Sequence, residues 1–110
     1  MIVTFQSAAA GDVIMFGDVA RRMMEIMGKD PSDKGILTVE QLPDAIDRLR
    51  AAIAEDKARR AGQSEEDLPQ TERSEGGSTR PFVSVAQRAV PLLELLEFAL
   101  KKKKVVVWGV

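Results

Sequence analysis

The chain has 110 residues, 45% of them apolar and 30% charged, with a net charge of −1; this fits one small soluble domain and is too short for two cored ones. It has no Cys, no His and no Tyr, which excludes disulfide scaffolds, thiolate metal sites and thiol nucleophiles, and removes the commonest general base and metal ligand. No apolar run reaches the length of a membrane span, and the start, Met1-Ile2-Val3-Thr4-Phe5, lacks the basic stretch of a signal peptide, so the expected compartment is the cytoplasm.

Residues 2–6 read as a short strand, with Val3 and Phe5 on one face and Ile2, Thr4 and Gln6 on the other. A small-residue connection, 7–11, follows, and Asp12 is placed to cap a helix over 13–27. Asp18, Arg21, Arg22 and Glu25 form one polar stripe on that helix, and the rest is apolar, so it is expected to be the central core helix. Gly28 stands where a left-handed C-terminal cap is wanted. Asp30-Pro31-Ser32 marks a turn in a polar loop. Thr38 with Gln41 then makes a capping box, flanked by Leu37 and Leu42 in staple positions. Pro43 predicts an offset between a short first turn and the main helix, whose buried stripe is Leu42, Ile46, Leu49 and Ile53. Beyond Ile53 there is little to bury, so that end is expected to fray.

Residues 62–80 hold five acidic and two basic side chains, with Leu68 the one large apolar group, too little burial to offset the ordering of a backbone. They read as an internal disordered acidic linker in a single domain spanning 1–110. Ser84 and Gln87 form a second capping box, opening a Leu-rich helix from Val85 to about Lys102 that Pro91 should kink, freeing the carbonyl of Gln87. The β-branched run Val105-Val106-Val107, ending in Trp108, reads as a strand covered on both sides. The expected class is α+β: a small two-stranded sheet from the N- and C-terminal strands covered by three helices, in the order β-α-α-linker-α-β. Whether the strands pair parallel or antiparallel does not follow from the residues.

Two stretches carry a resemblance. One is Ile2-Val3-Thr4-Phe5 with Ser7 and the run from Ala10-Gly11-Asp12-Val13 through Phe16-Gly17-Asp18-Val19-Ala20. The other runs Val83-Ser84-Val85-Ala86-Gln87-Arg88-Ala89-Val90-Pro91-Leu92-Leu93-Glu94-Leu95-Leu96 and ends in the final Val-Val-Trp. Together they resemble a family of short proteobacterial proteins, domain of unknown function 1840, and the acidic linker is similar to the variable middle of such proteins. The resemblance implies the same ordered ends and a bacterial cytoplasmic setting, and it brings no activity, ligand or catalytic residue with it.

Asp12 and Asp18 on one helix and Glu94 and Glu97 on another could face each other as a carboxylate pair, but they serve equally as a cap and as solvated partners of Arg22, Arg88 and Lys101. Gly11 and Gly17 make no phosphate loop. In mid-helix, Gly17 costs about 1 kcal/mol relative to Ala, which points to a close backbone contact, from Trp108 or Phe82. Met15, Met23, Met24 and Met27 give the first helix a methionine-rich face; most of it belongs in the core, with Met24 and Met27 the candidates for a partner groove. The strand with Val105, Val107 and Trp108 offers an edge to a second copy or a partner peptide. Two basic clusters, Lys57, Arg59 and Arg60, and Lys101, Lys102, Lys103 and Lys104, suit a phosphate backbone if they share a face. Both also sit at helix C-termini, where cations complement the dipole.

No catalytic, metal or cofactor residue is expected, and no enzyme. The expected function is that of a small protein-interaction module, self-associating or docking an unknown protein partner through its sheet edge and Met-rich helix face. The alternative is weak nucleic-acid binding through the basic clusters, which the net acidic charge disfavours. No membrane partner is expected.

Overall fold

Val3 and Phe5 point inward from the first strand, β1 (Ile2–Ser7), as the alternation predicts, and the chain then turns straight back into a second strand, β2 (Ala10–Phe16). The computed structural model describes residues 2–60, 71–73, 79–81 and 84–109. After β2 come α1 (Gly17–Ile26), β3 (Gly35–Leu37), α2 (Leu42–Arg60), the short strands β4 (Thr71–Arg73) and β5 (Thr79–Pro81), α3 (Val85–Lys102) and β6 (Val106–Trp108). The fold is α+β, but the main sheet has four strands, not two, in the order β2-β1-β6-β3, and every pairing is antiparallel. The terminal strands β1 and β6 are neighbours at its centre, Phe5 opposite Trp108 and Gln6 opposite Val107.

The largest departure from the sequence reading is β2. Asp12 caps nothing: it is an exposed strand residue, and the helix expected from 13 begins at Gly17. The hairpin loop is Ala8-Ala9, without the Asn-Gly or Asp-Gly that announces a two-residue turn. An irregularity between Phe5 and Ser7 adjusts the register, and the Ala9 N–H donates to Ser7 Oγ at 3.2 Å. A four-residue apolar run such as Val13 to Phe16 carries no period that separates strand from helix. A lone N-terminal strand, however, needs a partner, and the next segment along the chain is the usual one.

Gly17 therefore opens α1 and costs little there. The indole of Trp108 packs on Gly35, its cross-strand partner in β3, and Phe82 lies outside the described residues. At the other end of α1, Gly28 takes φ +84°, with its own N–H on the Glu25 carbonyl and that of Lys29 on the Met24 carbonyl: the left-handed cap expected there. One turn precedes α2, as Pro43 requires, and the Gln41 side chain accepts from the Thr38 N–H at 2.9 Å. The capping box of α3 is complete, Ser84 accepting from the Gln87 N–H at 3.1 Å and Gln87 from the Ser84 N–H at 3.2 Å. Of the expected linker, 62–80, the structure describes only β4 and part of β5, an antiparallel pair, and the rest lies outside the described residues.

Helices α1 and α3 lie against one face of the sheet, and α2 packs on both of them. Val3, Phe5, Met15, Leu37, Val106 and Trp108 supply that face, and they close on Val19, Ala20, Met23 and Met24 of α1, Leu42, Ile46, Leu49 and Ile53 of α2, and Leu92, Leu95, Leu96 and Ala99 of α3. Phe5 and Trp108 meet with ring centroids 5.5 Å apart at 56°. The end of α2 does not fray. It runs to Arg60 because Asp56, buried, accepts from the Ala86 N–H at 3.2 Å and so takes up a free amide in the first turn of α3.

Candidate functional site

Among the described residues, no helix lies over the other face of the sheet. Alternation along the strands turns Ile2, Thr4 and Gln6 of β1, Asp12, Ile14 and Phe16 of β2, Ile36 of β3 and Val107 of β6 to that side. Ile2 is 63% exposed, Ile14 65%, Phe16 46% and Ile36 42%. Single exposed apolar residues need no explanation, but here four large ones share one surface with Val107. The register groups them: Ile2 is directly opposite Phe16, next to the Thr4–Ile14 pair, and Ile36 is directly opposite Val107. Two apolar corners thus stand diagonally across the sheet, with Thr4 and Gln6 between them and Asp12 at a third corner.

Beside this face, the free edge of β2 borders a groove of about 490 Å³. Ile2, Asp12, Ile14 and Phe16 line it from the hairpin, Val19 from α1, and Gln87, Arg88 and Pro91 from α3. Pro91 sits inside α3, which continues through it, and having no N–H it leaves the Gln87 carbonyl without its donor four residues on.

The structure places the sequence-predicted partner residues differently. Trp108 is fully buried and donates from Nε1 to the Ser32 carbonyl at 3.3 Å. Of the strand expected to present an edge, 105–108, residues 106–108 form β6 and lie between β1 and β3; among the described strands of this sheet the free edges are those of β2 and β3. Val107 is half-buried on the open face, and Val105 is exposed just before the strand. Met24 and Met27 are in the core together with Met15 and Met23, and the Met24 sulfur accepts from the Ser32 N–H at 3.4 Å, so α1 presents no methionine groove. Sequence reasoning missed Ile2, Ile14, Phe16 and Ile36. The signal that could have found three of them is the same one that would have found the hairpin.

Asp56 of α2 touches the start of α3, and Arg50 of α2 pairs at 2.5 Å with Glu97 near its end, so the two helices run antiparallel. The basic clusters at 57–60 and 101–104 therefore lie at opposite ends of the helix pair, about 20–25 Å apart along α3. They form no single patch. Of the four candidate carboxylates, Asp12 is on β2, Asp18 is in the first turn of α1, Glu94 is exposed and Glu97 is taken by Arg50. Among the described residues no group of three or more carboxylates is placed to hold a metal ion. No described helix is long and apolar enough to cross a membrane.

No curated protein and no solved structure matches the chain. A family model, that of domain of unknown function DUF1840, matches residues 1–108. With that match running from the first strand through the last, the chain belongs to the DUF1840 family.

Proposed function

We propose that this protein is a small non-enzymatic interaction module, and that its partner surface is the open sheet face with the adjoining edge of β2. The observation that carries this reading is the exposure of Ile2, Ile14, Phe16 and Ile36 on one uncovered face of a sheet whose other face holds the whole core. An apolar patch of this kind is stabilised by cover, and an edge strand beside a groove can take an added strand. The composition supports the non-enzymatic part, since without His, Cys or Tyr only carboxylates, Lys, Ser and Thr remain for acid, base or nucleophile. A Cys-free chain asks nothing of an oxidising compartment, and we assign the module to the bacterial cytoplasm.

The test is photo-crosslinking in cells that express the full chain. A photoreactive residue at position 14 is expected to yield a discrete adduct, whereas one at Asp47, exposed on α2, yields none. No adduct from position 14, or the same adducts from both, overturns the reading.

A further inference from the structure

We infer that the occupant of the open face is a second copy of this chain, packed sheet against sheet about a two-fold axis. This rests on the reading of that face as an interaction surface and names its partner.

Area comes first. Strands about 4.8 Å apart, two of them about 20 Å long and two about 10 Å, give a face of about 300 Å² in projection. Even with side-chain relief and the groove beside β2 counted, that lies at or below the lower end of specific interfaces, about 1,200 Å² in total, in the range of weak, transient association. A micromolar rather than nanomolar dimer is expected.

Charge points the same way. Asp12 is the one charged residue that the strands of the four-stranded sheet turn to this face, so a partner recognised by charge finds little to hold, and a copy meets little repulsion. The diagonal layout then selects the geometry. A two-fold axis along the diagonal joining the two apolar corners sets Ile2, Ile14 and Phe16 against their own counterparts, and Ile36 and Val107 against theirs. The same operation carries Asp12 away from its copy, to the corner where no strand faces it. Axes parallel or perpendicular to the strands instead lay Asp12 on Ile36 or on Phe16. The diagonal axis crosses the strands of the two sheets at about 90°, one of the two ways sheets pack face to face.

The chain has no Cys, so a single introduced one reports on the interface without background. Thr4 lies near the axis, and Thr4→Cys is expected to give covalent dimers with a short bis-maleimide, whereas Asp47→Cys stays monomeric. Light scattering over a concentration series should show a dimer that persists in high salt, as apolar contacts do. Ile14→Glu sets like charges together at the seam and should weaken the dimer about a hundredfold or more, with the circular dichroism spectrum unchanged. A monomer at every concentration overturns the inference. So does a dimer that Ile14→Glu leaves intact, or equal cross-linking from both cysteines. A purified monomer that still gives a cellular adduct to another protein from position 14 refutes the second copy and leaves the interaction module standing; no adduct at all refutes both.

Discussion

Gly35→Ala adds a single methyl group and should be among the more damaging small substitutions in this chain. A Cβ at Gly35 falls 2.1 Å from Cζ2 of Trp108 and 2.4 Å from Cε2. Ordinary carbon contacts need about 3.5–4.0 Å, so the indole must retreat by about 1.5 Å. It has little room to do so, being fully buried, with the Phe5 ring packed at a tilt beside it and its Nε1 donating to the Ser32 carbonyl. Overpacking costs about 1–3 kcal/mol, and a buried donor pulled from its acceptor about 1–3 kcal/mol more. The reduced freedom of the unfolded chain returns about 0.4–1 kcal/mol. A net loss of about 3 kcal/mol is expected, a large share of the 5–15 kcal/mol typical of a domain. Urea unfolding followed by far-ultraviolet circular dichroism measures it, and the fluorescence of Trp108, the single Trp, gives a second probe. If the methyl acts through the indole, Trp108→Leu relieves it, and the double variant is less destabilised than the sum of the singles by more than 1 kcal/mol. A Gly35→Ala variant within about 0.5 kcal/mol of the parent would refute the reasoning, and so would an additive cycle.

Substitutions at three further positions test the helices. Asp56→Ala strands the Ala86 N–H of α3 and should cost about 1–3 kcal/mol in thermal or urea unfolding, while Asp56→Asn, which keeps an acceptor, should cost less than half of that. Lys103 holds φ +56° after α3, with its N–H on the Leu100 carbonyl and that of Lys104 on the Ala99 carbonyl, so Lys103→Gly should raise stability by about 0.5–1 kcal/mol. Pro91→Ala restores a donor to the Gln87 carbonyl and should stabilise the chain by about 1–3 kcal/mol, read as a higher melting temperature; a loss would mean that the core is packed around the proline ring itself.

How much of this molecule is legible in its residues depends on the range of the interaction. The caps were legible, Ser84 with Gln87 and Gly28 after α1, because each is settled within a few residues of backbone. So were the inward Val3 and Phe5, the stripe Leu42, Ile46, Leu49 and Ile53, and the Leu-rich α3, because periodicity alone sets which side is buried. The segment Val13 to Phe16 was not, since four apolar residues satisfy either period and the Ala8-Ala9 loop gives no turn signal. The role of Asp56 was equally hidden, because its amide partner is 30 residues away. The candidate surface fared worst. An exposed Ile14 and a buried Met15 look alike to a hydropathy count, and only a partner strand decides which of them faces the helices. The sequence by itself determined the α+β class, the three helices with most of their ends, and the pairing of the two terminal strands. Tertiary structure alone decided that β6 lies at the centre and β2 at the edge of a four-stranded sheet, that Trp108 and the methionines are core, and that one sheet face stays open. The reason is that strand order is set by hydrogen bonds between distant segments, and no local pattern of side chains encodes which edge is left over.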